Sequence, residues 1–195
     1  MGTSWWLLAA HGGGLCGALR ALAGHALLGE ELEPNIGMWW YFYKEVFEHS
    51  RAFFLVVFNV QPLLVVAPLV IRLRRRPVAA AVACASLAAM YKPHPTVSDV
   101  CVPLALLPLL ASSLAHFRHA FALGFAYLLC ALCVPLTWNA WRVGALGAMA
   151  NVNLFFAATL GANGAQAMLL VEALRSVVAS DWVHHQRTKR LGGKR

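Results

Sequence analysis

Five apolar runs dominate this chain, and their lengths limit what it can fold into. A helix needs about 20 mostly apolar residues to cross the hydrocarbon core of a bilayer. The runs cover residues 52–71, 78–91, 100–117, 120–138 and 152–174. Hydrophobic residues make up 60% of the sequence and charged residues 12%, against roughly 25% charged residues in soluble domains. The sequence therefore predicts an all-α protein, a polytopic membrane helix bundle with about five or six transmembrane helices.

The N-terminal segment is harder to assign. Residues 5–28 are apolar on average, but Arg20, two histidines and three successive glycines interrupt them. This pattern fits either a poor span or an interfacial helix, and it lacks the basic start of a signal peptide. We therefore divide the chain into an uncertain segment (1–32), a membrane domain (33–182) and a basic cytoplasmic tail (183–195).

Positive charges occur on alternate connections between the apolar runs. They lie in residues 72–76, in residues 116–119, where histidines flank Arg118, and in residues 187–195. Lys and Arg accumulate on cytoplasmic loops, so these three connections are predicted to share the cytoplasmic side. The net charge of +8 is explained in this way as a topology signal, without a nucleic-acid partner.

The other ends of the apolar runs carry aromatic and polar residues. An aromatic belt of Trp39, Trp40, Tyr41 and Tyr43 precedes the first run, and such residues concentrate at membrane interfaces. With the loop 92–99 and the stretch 138–153, the belt is predicted to converge on one non-cytoplasmic face. Polar groups at the rim of an apolar bundle can hold a lipid head group or a partner loop.

Nine polar residues on this face are candidates for such contacts: Glu45, Glu48, His49, Arg51, His94, Thr96, Asp99, Asn151 and Asn153. A structural role is about as plausible for several of them. Glu48 and Arg51 are spaced for an i, i+3 ion pair, while Thr96 with Asp99, and Asn151, are placed to cap the helices that follow.

Metal and catalytic signatures are weak. The Glu45, Glu48 and His49 pattern lacks the first histidine of an inverted zinc-protease motif. Cys130 and Cys133 form a CxxC pair inside an apolar run, without the two further ligands of a structural zinc site. We assign no metal, no cofactor and no catalytic residue.

Three segments, in this order and spacing, resemble one family. They are PNIGMWWYFYKEVFEHSRAFF (34–54), KPHPTVSDV (92–100) and NVNLFFAATLGANGAQ (151–166). Together they are similar to the C-terminal half of the PIG-U family, a polytopic subunit of the glycosylphosphatidylinositol (GPI) transamidase. The resemblance implies that this C-terminal half has a fold similar to that of the membrane GT-C enzymes. It also implies a multi-pass protein of the endoplasmic reticulum membrane. It also implies a non-catalytic subunit that binds or presents the GPI lipid beside a cysteine protease-like subunit.

The resemblance also suggests which residues contact the lipid or other subunits. Asn151 and Asn153 are the main candidates, because amides can hydrogen-bond sugar hydroxyls and phosphates. Further candidates are Glu45, His49, Arg51, His94 and Asp99, together with Phe155 and Phe156, which are expected to line acyl chains.

Two other functions remain open at this point. The first is a GT-C-type mannosyltransferase of GPI synthesis whose catalytic half is missing. Members of the family carry further spans upstream, and we therefore expect this chain to be a fragment or a short form. The second is a transporter, suggested by the intramembrane Asn163 and Gln166, although such residues more often mark helix packing.

Overall fold

The computed structural model describes residues 33–46, 48–92, 94–144 and 151–192, and every regular element in these ranges is helical. The helices are α1 (Trp39–Tyr41), α2 (Arg51–Arg72), α3 (Pro77–Tyr91), α4 (Val97–Leu106), α5 (Ala111–Leu114), α6 (Ala120–Val143) and α7 (Val152–Gly192). A π-helical turn at Phe42–Val46 and 3₁₀ turns at Glu48–Ser50 and Leu107–Leu110 lie between them. The predicted all-α class is confirmed.

Local sequence signals explain where several helices begin and end. Pro77 opens α3, where its fixed φ suits the first helical turn and its missing N–H costs nothing. Thr96 and Asp99 form a capping box at the start of α4, each side chain accepting a backbone N–H of the other residue. Gly144 ends α6 in the left-handed conformation, with φ of 66°, which glycine adopts without steric cost.

Helix α7 is the centre of the bundle. It runs for 41 residues, about 62 Å, and contacts α3, α4, α5 and α6 along its length. It continues well beyond residue 174, where the last apolar run was predicted to end. It also passes through the boundary drawn at residue 182, so the proposed basic tail begins as part of the same helix.

Three helical stretches are long and apolar enough to cross a membrane: Val97–Leu114, Ala120–Val143 and Val152–Leu191. The first combines α4, the following 3₁₀ turn and α5. The other two predicted spans correspond to the apolar stretches Val56–Arg72 and Pro77–Tyr91, which are shorter. At 15 residues, α3 is about 22 Å long and falls short of a hydrocarbon core of about 30 Å.

Candidate functional site

The turn before α1 packs directly against the loop between α3 and α4. The Asn35 side chain accepts the backbone N–H of Gly37 at 2.7 Å, which closes a tight Asx turn. A Cβ atom added at Gly37 would lie 2.9 Å from Cδ of Pro95, closer than real Cβ contacts. The first two of the three family-like segments therefore touch at this glycine.

The aromatic belt lies on the start of α7. The ring of Tyr41 stacks on Phe156, with centroids 4.2 Å apart and an interplanar angle of 11°. Its hydroxyl donates a hydrogen bond of 2.7 Å to Oδ1 of Asn153. Trp40 is fully buried and contacts Phe155, with ring centroids 6.0 Å apart. The first and third segments are thus joined through both stacking and a hydrogen bond.

The end of α6 completes this cluster. Trp138 lies 5.0 Å from Phe155 between ring centroids, and Trp141 stacks on the same ring at 6.0 Å. Tyr91, at the end of α3, lies 5.8 Å from Trp39. The predicted convergence of the three segments is confirmed by these contacts, and we call this end of the bundle the belt end.

Three of the polar candidates, Thr96, Asp99 and Asn151, cap helices. The Asp99 carboxylate accepts hydrogen bonds from the backbone N–H and the hydroxyl of Thr96. It also forms an ion pair with Lys92, with Nζ and Oδ2 2.8 Å apart. Asn151 accepts the backbone N–H of Leu154 through Oδ1 at 3.0 Å, at the start of α7. These are the structural roles considered from the sequence, and a binding role for any of the three residues remains a prediction.

The capping role of the Asn151 side chain can be tested directly by replacing it. Asn151→Ala is expected to destabilise the first turn of α7 by about 1 kcal/mol, because the Leu154 N–H loses its side-chain acceptor and keeps only the Asn151 backbone carbonyl at 3.2 Å. Hydrogen exchange of the Leu154 and Phe155 amides should speed up severalfold, while Asn151→Asp, which keeps an acceptor, should preserve protection. Unchanged exchange in the alanine variant would show that the side chain does not cap the helix.

The remaining polar candidates are less informative. His49 is exposed in the 3₁₀ turn before α2, and His94 is half-buried in the loop before α4. The side chains of Glu45, Glu48 and Arg51 lie outside the described part of the chain. No cluster of three metal-ligating side chains occurs among the residues that the structure describes.

The two intramembrane amides of α7 hold neighbouring backbone in place. The Asn163 amide donates to the carbonyls of Ile36 and Thr159, at 3.1 and 2.8 Å. The Gln166 amide donates to the carbonyl of Val100 at 3.2 Å, which also accepts the Tyr127 hydroxyl. Both side chains are buried, so these contacts support helix packing for this pair and not a transport path.

Below the belt end, α4, α6 and α7 line a half-open apolar cavity of about 780 Å³. Its upper part is lined by Ile36, Val97, Trp138 and Phe155, and its lower part reaches Gly124 on α6. The hydrogen bonds of Asn163 and Gln166 fix two of its walls, at Ile36 and Val100. This cavity cannot be recognised in the sequence, because its lining residues look like ordinary membrane-facing residues.

A charged network at the opposite end was also missed. The Glu172 carboxylate on α7 accepts the backbone N–H of Arg118 at 2.6 Å and the guanidinium of Arg175 at 2.7 Å. Arg175 also donates to the carbonyl of His116 at 2.5 Å. This network fixes the connection between α5 and α6 onto α7. Nearby in the fold, Arg76 pairs with Asp181 near the surface.

The sequence is similar to proteins of one family. The family model described as GPI transamidase subunit PIG-U matches residues 12–162, which includes part of the segment left uncertain above. The human GPI-anchor transamidase component PIGU is 34% identical over 152 residues, which is 78% of this chain and 34% of the relative. Components from fission yeast, Schizosaccharomyces pombe, and from Saccharomyces cerevisiae are 29% and 28% identical over similar lengths.

The chain spans about a third of the length of the curated relatives that it matches. The family match nevertheless covers most of the chain, and it includes the belt, the loop 92–99 and the first part of α7. This chain belongs to the PIG-U family of GPI transamidase subunits.

Proposed function

We propose that this chain is part of a non-catalytic subunit of a GPI transamidase in the membrane of the endoplasmic reticulum, and that its belt end holds the GPI lipid for attachment to proteins. The relatives named above are components of that enzyme. Their names do not favour a mannosyltransferase with a missing catalytic half. The catalytic work is assigned to a cysteine protease-like partner subunit.

The observation that carries this proposal is the position of Asn153. Its side chain is exposed at the belt end, and Oδ1 accepts the Tyr41 hydroxyl. Its amide NH₂ group makes no hydrogen bond within the described part of the chain. An amide in this position can donate to a sugar hydroxyl or a phosphate oxygen, while the adjacent ring of Phe156 offers an apolar surface.

The charge distribution supports a luminal belt end. Helix α2, and α4 together with α5, run away from the belt end, and α6 returns to it. The basic residues that follow or end these outgoing helices therefore lie at the opposite end of the bundle, as do those near the end of α7. They include Arg72 and Arg118. Positive charge marks the cytoplasmic side, so the belt end faces the lumen. A neutral amide cannot act as a general base at neutral pH, which fits a role in lipid binding.

Asn153→Leu is expected to impair GPI attachment severalfold without preventing membrane insertion, because leucine has a similar volume and no hydrogen-bonding group. The natural protein carrying this change should be expressed in cells that lack their own copy. Surface display of a GPI-anchored reporter would be measured by flow cytometry, and membrane insertion by carbonate extraction.

Tyr41→Phe separates a binding role of Asn153 from a packing role. It removes the hydroxyl that Asn153 accepts and leaves the stacked ring in place. If the asparagine contacts the lipid, the tyrosine change should have the smaller effect on display. Equal losses in both variants, or normal display with Asn153→Leu, would remove Asn153 from the lipid site.

A further inference from the structure

We infer that the connection between α2 and α3, residues 72–76, binds the phosphate groups of anionic phospholipids in the leaflet at that end of the bundle. We call this connection the arginine turn, because Arg72, Arg74, Arg75 and Arg76 occupy four of its five positions. It lies at the end opposite the belt, so the inference does not depend on the proposed function.

The backbone of the arginine turn is fixed. Leu73 is only 5% exposed and belongs to the hydrophobic core formed with α3 and α7. The backbone N–H of Arg76 donates to the carbonyl of Leu73 at 2.7 Å, and the Arg76 side chain forms an ion pair with Asp181 on α7. Between these anchors, Arg74 and Arg75 are exposed. The turn therefore presents their guanidinium groups on a surface that is set by the core.

Two observations place the turn at the level of lipid head groups. Apolar residues on both sides of it are exposed, Ile71 to 71% and Val78 to 52%, as expected for side chains that face lipid. Trp182 directly follows Asp181 on α7 and is 64% exposed. Exposed tryptophans concentrate at membrane interfaces. The arginines thus lie where phosphate groups of a bilayer are found.

The positive charge of the turn is not neutralised within the described part of the chain. The described carboxylates at this end of the bundle are Glu172 and Asp181, and each already pairs with an arginine. Arg72, Arg74 and Arg75 form no ion pair with a described residue. Like charges held close together on a fixed turn repel one another, and an anion bound between them removes that repulsion.

The choice of arginine also favours phosphate. A guanidinium group presents paired N–H donors that match two phosphate oxygens, whereas a lysine ammonium is a point charge. The rule that orients membrane proteins counts Lys and Arg alike, so orientation alone requires neither four arginines nor a fixed backbone. Anionic lipids supply phosphate at this level, and basic residues close to a membrane surface bind them.

The first test is chemical footprinting of the natural protein in vesicles of phosphatidylcholine, prepared with or without added phosphatidylinositol. Phenylglyoxal modifies accessible guanidinium groups, and mass spectrometry measures the rate at each arginine. We expect phosphatidylinositol to slow modification of Arg74 and Arg75 severalfold. Two exposed arginines serve as controls and should change little: Arg142, at the belt end, and Arg187, at the same end as the turn but on α7.

The second test measures how tightly the purified natural protein retains phosphatidylinositol in a neutral detergent, by native mass spectrometry. Replacing both Arg74 and Arg75 by glutamine should weaken retention roughly tenfold or more, since each basic residue near an anionic lipid surface contributes about fivefold. Replacing Arg187 and Arg190 by glutamine removes the same charge from the exposed end of α7 and should have little effect.

A lysine variant separates phosphate recognition from membrane orientation. Arg74→Lys combined with Arg75→Lys keeps the positive charge that orients the protein but loses the paired donors. Its retention of phosphatidylinositol should fall between that of the natural protein and that of the glutamine variant. Retention equal to that of the natural protein would show that charge alone attracts the lipid, without a built site.

Three further results would overturn the inference. Equal weakening by the two glutamine variants, with equal protection of Arg187, would reduce the effect to general attraction between opposite charges. Protection of the turn by inorganic phosphate as strong as that by phosphatidylinositol would indicate a site for a free anion. Protection by polyglutamate but not by phosphatidylinositol would indicate an acidic protein partner.

Discussion

Replacing Glu172 by alanine is expected to destabilise the helix bundle by about 1–3 kcal/mol, the usual cost of leaving a partly buried hydrogen-bond donor without its acceptor. Only 9% of the Glu172 side chain is exposed. The change leaves the Arg175 guanidinium without its counter-ion and the backbone N–H of Arg118 without its acceptor. Unfolding would be followed in detergent by circular dichroism against increasing denaturant. Glu172→Gln, which keeps an acceptor but loses the charge, should fall between wild type and alanine.

Asp181→Ala is the matched control for this prediction. Asp181 also lies on α7 and pairs with an arginine, Arg76, but both side chains are more than 40% exposed. Exposed pairs contribute only about 0–1 kcal/mol, so this change should have a small effect. Similar destabilisation by both variants would mean that the Glu172 network is solvated and does not fix the connection between α5 and α6.

Replacing Gly37 by alanine is expected to cost about 1–3 kcal/mol and to separate the belt from the loop 92–99. The added Cβ would lie 2.8 Å from Oδ1 of Asn35 and 2.9 Å from Cδ of Pro95. Both neighbours are held in place, the first by its turn and the second by its ring, so the backbone must move. Limited proteolysis should then cut faster within residues 92–96.

Gly124→Ala is the corresponding control, because its added Cβ has open space and alanine favours a helix interior. It should leave stability unchanged or raise it slightly. If Gly37→Ala were as stable and as protease-resistant as Gly124→Ala, the close packing of the first two segments would be contradicted.

Sequence reasoning predicted the apolar helices well, for physical reasons that are specific to membrane proteins. The predicted runs 52–71 and 78–91 correspond to α2 and α3 within one residue at each end, because hydropathy and Pro77 define these helices locally. The end of α7 was not predicted. Hydropathy falls where the helix leaves the apolar region, but no proline or glycine follows Gly164 until Gly192, and the helix continues.

The site was only partly accessible from the sequence. The meeting of three segments followed from loop charges and alternating spans. The Glu172 network was not found, because the carboxylate and its backbone donor at Arg118 are 54 residues apart and the i, i+3 spacing to Arg175 looks like a surface pair. The cavity depends on the spacing between three helices, which no local pattern encodes. Contacts of long sequence separation were therefore the part that required the structure.

The unbroken length of α7 has a mechanical consequence. Asn153 stands near one end of a rod of about 62 Å, and Lys189 and Arg190 stand near the other. The hydrocarbon core of a bilayer is only about 30 Å thick, so about half of this rod lies outside it. The helix therefore carries its basic residues as a rigid extension beyond the membrane core, at a fixed distance from Asn153.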